Sequence, residues 1–151
     1  MTPAEVSALC FGSDPNIAAD FINESTILTA QRRFVLPVTG KDLWTELEKD
    51  RYSALLNDYI KPSLALYVKY LVLPAISCQP GILGVVQYSG QNFGSADAEA
   101  FARLRKEVRN EADSMMKICS DHMGVSATLY PEYDPHENIL NSVNTKGGVV
   151  L

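Results

Sequence analysis

The sequence predicts a mainly α-helical domain of four to five helices, with one short β-strand or hairpin and an extended C-terminal tail. Three observations favour this class. Apolar residues recur at steps of three and four along most of the 151-residue chain, which is the spacing of one face of a helix. Hydrophobic residues make up 46% of the chain and charged residues 21%, a balance that suits one domain with a buried core. A single short β-branched run and a final segment rich in proline, asparagine and glycine interrupt the helical pattern.

Capping and breaking residues set the expected bounds of the first helices. Thr2 followed by Pro3 has the pattern of an N-cap and a proline at the first helical position, which predicts a helix ending near Cys10. A second helix is expected to begin at residue 17 or 21 and to end at residue 34. Pro37 and Gly40 are expected to stop it, because proline lacks a backbone donor and glycine often follows a helix.

The central segment carries the densest apolar pattern. A helix over residues 41–50 is expected to bury Trp44 on its apolar side. A longer helical stretch begins near residue 52 and is expected to be kinked or broken at Pro62. It continues over residues 64–76, where apolar residues occur on nearly every side, so this segment should be the most buried helix. It is shorter than the roughly 20 residues needed to span a membrane, and no membrane association is expected.

The second half of the chain changes from strand to helix to tail. Residues 82–88, ILGVVQY, are predicted to form a strand. The longest helix is expected from Ser95 to about residue 122, before Gly124, with an apolar face formed by Phe101, Leu104, Val108, Ala112, Met115 and Cys119. Periodicity is lost after residue 127, which predicts a helical domain over 1–127 and an extended tail over 128–151. The final GVVL is expected to become a strand only by pairing with residues 83–86 or with an edge on another chain.

The charge of the chain argues against a grip on nucleic acid. The formal net charge is −5 at pH 7, whereas binding to phosphates depends on clustered lysine and arginine. The basic residues at 32–33 and 103–109 are interpreted as a salt-bridged surface, with Arg103 expected to pair with Glu99 and Glu107. Three cysteines without CxxC spacing indicate reduced thiols rather than a disulfide framework. The N-terminus has no signal-peptide pattern, and a reducing compartment such as bacterial cytoplasm is expected.

Chemistry-bearing residues are few. Cys119 and His122 have helical spacing, but a zinc site needs three or four ligands. Asp121 could add one, and Asp134, His136 and Glu137 could add more if the tail folded back. A Cys–His nucleophile pair is a second interpretation, but Cys119 continues an apolar face, which favours a packing role. No phosphate-binding loop or nucleophile elbow occurs. The sequence therefore predicts a protein with no catalytic residues, no cofactor and no metal; a small metal-dependent hydrolase built on Cys119, His122 and His136 remains an alternative.

Apolar residues outside the helices predict contacts with other chains. The tail holds apolar and aromatic residues for which a small helical domain offers no evident partner, and such segments often become ordered against a neighbour. The predicted strand and the loop after it add a free edge. We therefore predict partner contacts at Ile82, Val85, Val86, Tyr88, Phe93, Tyr130, Tyr133, Ile139, Leu140, Val149, Val150 and Leu151.

Two packing patterns, each containing a proline, support a resemblance to a known family. The first is carried by Phe34, Val35, Pro37, Val38, Gly40, Leu43, Trp44 and Leu47. The second is carried by Tyr59, Ile60, Lys61, Pro62, Leu64 and Ala65. With these patterns and the order of its elements over residues 17–123, the chain resembles the small head–tail connector (adaptor, or neck) proteins of tailed bacteriophages. It looks most like the branch found in phages and prophages of Bacteroidetes, although Thr39 stands where that branch usually has leucine.

The resemblance implies a structural virion protein of the capsid–tail neck, made in the host bacterial cytoplasm during assembly. Such connectors form a homo-oligomeric ring, usually twelve-fold, that binds the portal protein on one side and the next neck or tail protein on the other. DNA passes through the ring without adhering to it. The alternative that the residues leave open is a small helical binding or regulatory module of a mobile element, without catalysis.

Overall fold

The computed structural model describes residues 1–11, 21–49, 51–81, 84–87, 98–141, 145–146 and 149–150. Helices dominate these residues, and the predicted mainly α-helical class is confirmed. In chain order the α-helices are α1 (Pro3–Cys10), α2 (Glu24–Ala30), α3 (Leu36–Thr39), α4 (Lys41–Leu47), α5 (Ser53–Leu55), α6 (Lys61–Ser77) and α7 (Ala98–Val125). Wide π-helical turns join α2 to α3 (π1, Gln31–Val35) and α5 to α6 (π2, Leu56–Ile60). Among these helices, none is both long and apolar enough to cross a membrane.

Side-chain caps fix where the first helices begin. Thr2 Oγ1 accepts a hydrogen bond from the Glu5 backbone at 3.3 Å, and the Glu5 carboxylate accepts one from the Thr2 backbone at 2.6 Å. This reciprocal capping box confirms the predicted helix over Pro3–Cys10. The next helix begins at Glu24, because Asn23 Oδ1 accepts from the Thr26 backbone at 2.8 Å. The predicted start at residue 17 lies outside the described residues, and the start at residue 21 is wrong.

Pro37 and Pro62 are accommodated by the wide turns π1 and π2 rather than by breaks in the helix. A proline in a helix has no N–H and its ring clashes with the carbonyl four residues earlier. In both cases the residue just before the proline donates to the carbonyl five residues back, Leu36 to Gln31 and Lys61 to Leu56. The helix therefore runs past Pro37, and the prediction that Pro37 ends it is wrong.

The backbone turns sharply at Gly40. Its φ of +77° and ψ of 164° lie in a region that glycine alone adopts readily, and α3 ends there as predicted. The next helix, α4, ends at Leu47, which is shorter than the predicted 41–50. Leu43 and Leu47 are buried, and Trp44, expected on the same apolar side, packs against the core but is only partly buried.

The central helix α6 organises the core. It packs against α7, α2 and α1, and its residues Leu64, Ala65, Tyr67, Val68 and Val72 are buried. This agrees with the prediction that residues 64–76 form the most buried helix. The core face of α7 is shifted from the predicted one: Leu104 is exposed and Met115 partly exposed, and the buried residues are Val108, Ala112, Met116, Cys119 and Met123.

Two antiparallel pairs of short strands occur in the described part of the chain. β1 (Cys78–Gly81) pairs with β2 (Gly84–Gln87), and β3 (Thr145–Lys146) pairs with β4 (Val149–Val150). Residues 82, 83 and 88 of the predicted strand lie outside the described residues, so that strand, as bounded, stays a prediction. The final valines pair within the tail, which differs from the predicted pairing with residues 83–86 or another chain. Segments only a few residues apart in the chain pair at a lower entropic cost than segments separated by a long stretch of chain.

Candidate assembly surfaces

The segment after α7 is anchored to the helical domain by a buried asparagine. Asn138 is 1% exposed, and its amide nitrogen donates to Ser120 Oγ at 2.7 Å and to Tyr133 Oη at 2.6 Å. Its amide oxygen accepts from the Leu140 backbone at 2.8 Å. One residue later, the Ile139 backbone donates to the carbonyl oxygen of Pro37 at 3.0 Å. Residues 126–141 therefore continue the domain past the predicted boundary at residue 127.

The structure separates the predicted partner-binding residues into groups. Tyr130 and Tyr133 are buried in the core, so the prediction that they lack a partner within the domain is wrong. Ile139 and Leu140 are 58% and 42% exposed, as a contact surface requires. Val85, Val86, Val149 and Val150 lie in β2 and β4, for which the structure describes only the backbone. Outside the described residues lie Ile82, Tyr88, Phe93 and Leu151.

His122 and Tyr130 belong to an aromatic network that supports this anchor. The His122 ring stacks on Tyr59 with centroids 4.5 Å apart, and its Nε2 lies 3.1 Å from Tyr130 Oη. Tyr130 in turn contacts Tyr52 edge to face, with centroids 5.1 Å apart. The Tyr52 hydroxyl donates to the Glu132 carboxylate at 2.7 Å, which lowers the pKa of that carboxyl and raises the pKa of the phenol.

The Cys119 thiol is placed for packing. Cys119 is fully buried, and burial raises its pKa to about 12, so the thiolate needed for nucleophilic attack is strongly disfavoured. The His122 ring is occupied by its two tyrosine neighbours. Within the described residues, no group of three or more histidine, cysteine, aspartate or glutamate side chains is arranged to hold a metal ion.

One side of α7, which we call the acidic flank, carries an apolar row interrupted by carboxylates. Leu104, Glu107, Glu111, Met115 and Ile118 follow one another at steps of three and four, so they share a side of the helix. Leu104 is 44% exposed and Ile118 is 58% exposed. Asp58 and Tyr59 of π2 extend the flank, where with Met115 and Ile118 they line a cavity of about 120 Å³.

The other side of α7, which we call the arginine flank, stacks three guanidinium groups on aromatic rings. Arg109 Cζ lies 4.4 Å from the ring centre of Phe34, and Arg105 Cζ lies 4.5 Å from that of Tyr70. Arg33, the neighbour of Phe34 in π1, has its Cζ 5.3 Å from the Phe34 ring centre. The Phe34 ring also stacks on Tyr67, with centroids 4.4 Å apart.

The arginine flank has fewer carboxylates than arginines. Asp113 accepts from Arg109 Nε through both oxygens, at 2.8 and 2.9 Å, and from the Tyr67 hydroxyl at 2.8 Å. Neither Arg33 nor Arg105 has an ion-pair partner in the part of the chain that the structure describes. Arg105 Nε is buried without a hydrogen-bond partner there. The sequence shows the basic cluster, but not that Arg105 and Arg109 lie over rings from distant segments.

The predicted salt-bridged surface of α7 is therefore only partly present. Arg109 pairs with Asp113 and Lys117 pairs with Asp121, each four residues apart. The expected pairs of Arg103 with Glu99 and Glu107 are not among the ion pairs of the described residues.

A third surface feature is a cavity of about 290 Å³ beside α4. Trp44 forms part of its wall, and the indole Nε1 donates to Glu48 Oε1 at 2.9 Å. Lys61 lines the same cavity and forms an ion pair with Glu5 at 3.0 Å, which ties α6 to α1. The remaining lining residues are mostly apolar: Met1, Gln31, Leu47, Leu56 and Leu64.

Comparison with known proteins identifies a family. A profile described as a family of unknown function, DUF6712, matches residues 19–142. The chain belongs to the DUF6712 family. No curated protein and no solved structure matches it.

The extent of the DUF6712 match agrees with the packing. The matched region ends at residue 142, just after the segment that Asn138 anchors, rather than at the end of α7. The family unit thus includes the buried Tyr130 and Tyr133 and the exposed Ile139 and Leu140.

Proposed function

We propose that this protein is a structural virion protein, a head–tail connector that forms a ring between the portal and the next neck or tail component of a tailed bacteriophage. The observation that carries the proposal is the exposure of large apolar side chains on well-anchored elements. Single exposed apolar residues are common on soluble proteins, whereas contiguous groups mark interaction sites.

Two groups of exposed apolar residues support an assembly role. The first follows the outer side of α7 into the turn after it and includes Ile118, Val125 and Leu129, the last two being 90% and 63% exposed. The second is the pair Ile139 and Leu140, held next to the Pro37 carbonyl by a backbone hydrogen bond. Because backbone hydrogen bonds and buried neighbours hold these segments in place, a partner would bind them at a low cost in backbone ordering.

The burial of the motif residues supports the resemblance on which the proposal also rests. Phe34, Val35, Val38, Leu43 and Leu47 of the first pattern are buried, and Gly40 makes the turn between its halves. The second pattern places Ile60, Leu64 and Ala65 in the core. The patterns therefore specify a scaffold, and the exposed surfaces around it are where partner specificity would reside.

The net charge suits passage of DNA through a ring. A chain with a net charge of −5 repels the phosphate backbone on average, so DNA would slide past it rather than adhere. A twelve-fold ring, portal binding and location in the virion neck are what the resemblance implies, and they belong to the proposal in that sense.

The test is the assembly state of the purified full chain, alone and with portal protein. Native mass spectrometry and negative-stain electron microscopy should detect closed rings of one subunit number, or should detect the chain bound to portal oligomers after co-expression. A chain that stays monomeric or dimeric and never co-purifies with portal would refute the connector proposal. That result would favour the alternative, a binding or regulatory module of a mobile element.

A further inference from the structure

We infer that the arginine flank of one copy of this protein binds the acidic flank of the next copy, so that α7 is the helix through which neighbouring subunits contact each other. This inference rests on the proposed function, because it takes a second copy as the occupant of both surfaces. It goes beyond that function by naming the two contacting surfaces and the charges that match them.

The positions of the two flanks on one helix are those that a ring requires. Arg109 and Ile118 are separated by about two and a half helical turns, so their side chains leave α7 on opposite sides. A ring of identical subunits is built from head-to-tail contacts, in which each subunit uses two different and complementary surfaces. Two surfaces on opposite sides of one long helix meet that requirement without any change of conformation.

The charges on the two flanks are complementary. The arginine flank carries three arginines and one carboxylate, so it has an excess of positive charge. The acidic flank carries Asp58, Glu107 and Glu111. Neither Glu107 nor Glu111 has an ion-pair partner among the described residues. Lys69 lies in the same region as Glu111, since both act on the Cys10 thiol, but its ammonium donates to the Cys10 carbonyl oxygen at 2.9 Å. The acidic flank therefore keeps a negative excess.

The apolar parts of the two flanks are also complementary. On the acidic flank, Glu107 and Glu111 lie between Leu104 on one side and Met115 and Ile118 on the other. These apolar residues would lie against the aromatic and methylene surface beneath the guanidinium groups. Arg105 is partly exposed and has no ion-pair partner among the described residues. Its terminal guanidinium nitrogens would donate charge-assisted hydrogen bonds to a carboxylate of a neighbouring subunit.

Charge reversal with rescue tests the inference directly. Variant A carries Arg33→Glu and Arg105→Glu, and variant B carries Glu107→Arg and Glu111→Arg. Each variant alone would bring like charges together and should lose self-association by on the order of 100-fold. An equimolar mixture should assemble again, because every contact between an A subunit and a B subunit regains opposite charges. Lys41→Glu, an exposed charge reversal on α4 rather than on either flank, is the matched control and should assemble like the wild type.

The readouts separate this inference from the connector proposal. Circular dichroism melts first establish that both variants fold, and Arg33→Glu alone replaces variant A if Arg105→Glu unfolds it. Assembly by variants A and B at wild-type concentrations would overturn the flank-to-flank contact while leaving the ring intact. A wild-type chain that stays monomeric at every concentration would also overturn it, and binding of that monomer to portal would leave the neck assignment standing. Loss of assembly in A and B with recovery in the mixture supports the inference.

Discussion

Replacing Asn138 with alanine is expected to lower the free energy of unfolding by about 3 kcal/mol. The asparagine side chain makes hydrogen bonds to Ser120, Tyr133 and the Leu140 backbone at 2.6 to 2.8 Å, and it is 1% exposed. Each such bond contributes about 1 kcal/mol net, and its buried partners would be left without their donor or acceptor. In a domain of this size the loss corresponds to a fall in melting temperature of about 6–12 °C.

Urea unfolding followed by circular dichroism at 222 nm measures this change. Asn141→Ala is the matched control, because Asn141 is exposed and makes one longer bond to the Pro135 carbonyl, at 3.2 Å. We expect it to change the unfolding free energy by less than about 0.5 kcal/mol. Equal midpoints for Asn138→Ala and Asn141→Ala would refute the view that residues 126–141 are an integral part of the domain.

Truncation provides an independent check of the same anchor. Removing residues 142–151 keeps Asn138 and should leave the melting temperature nearly unchanged. Removing residues 135–151 takes Asn138 away and should destabilise the helical domain, because Ser120 and Tyr133 lose their buried partner. If both truncated proteins melt at the same temperature, Asn138 contributes less than its contacts indicate.

Three further perturbations test the fold at separate places. Gly40→Ala should cost about 1–3 kcal/mol, because φ is +77° and a new Cβ would lie 3.4 Å from the Glu137 carboxylate; an unchanged melting temperature would contradict the strained turn. Trp44→Ala should cost about 2 kcal/mol, less than the 3–5 kcal/mol typical of a fully buried indole, and Trp44→Phe should recover most of the loss in the same chemical denaturation assay. Burial raises the pKa of Cys119 from its usual 9 to about 12, so the folded state holds the thiol proton more tightly than the unfolded state. The free energy of unfolding therefore includes the full contribution of this thiol below pH 9 and loses it as the pH rises toward 12. Peptide-mapped thiol labelling at pH 9 should therefore modify Cys119 only after urea is added, and rapid labelling of the folded protein would count against its burial.

The aromatic network around His122 shows how the sequence can mark a residue without revealing its role. Cys119 and His122 stand out because so few chemistry-bearing residues occur in the chain. Their spacing is compatible with a metal ligand pair, a nucleophile pair or simple packing. The structure favours packing for this pair, because Cys119 is fully buried and His122 lies between two tyrosines from other segments. Neither tyrosine contact can be read from the spacing of the two residues.

The two flanks of α7 give a similar lesson for the candidate site. The basic and acidic residues are evident in the sequence, and their spacing predicts neutralising pairs along the helix. Arg103 makes none of the expected pairs in the described residues, whereas Arg105 and Arg109 lie over rings contributed by π1 and α6. Sequence spacing decides which residues share a side of a helix, but contacts between helices decide which of those charges are neutralised.

The sequence by itself determined the features that depend on neighbouring residues. The capping box of α1, the turn at Gly40 and the buried character of α6 follow from local hydrogen bonding, backbone sterics and apolar spacing. Tertiary structure alone decided how the helix passes Pro37 and where the domain ends. A proline stops a helix unless a wide turn and the surrounding packing compensate, as they do at Pro37. The position of residues 126–141 against the domain depends on the hydrogen bond from Asn138 to Ser120, a partner eighteen residues away on another element. Such long-range pairings leave no periodic trace in the chain, which is why the sequence did not predict the burial of Tyr130 and Tyr133 within the domain.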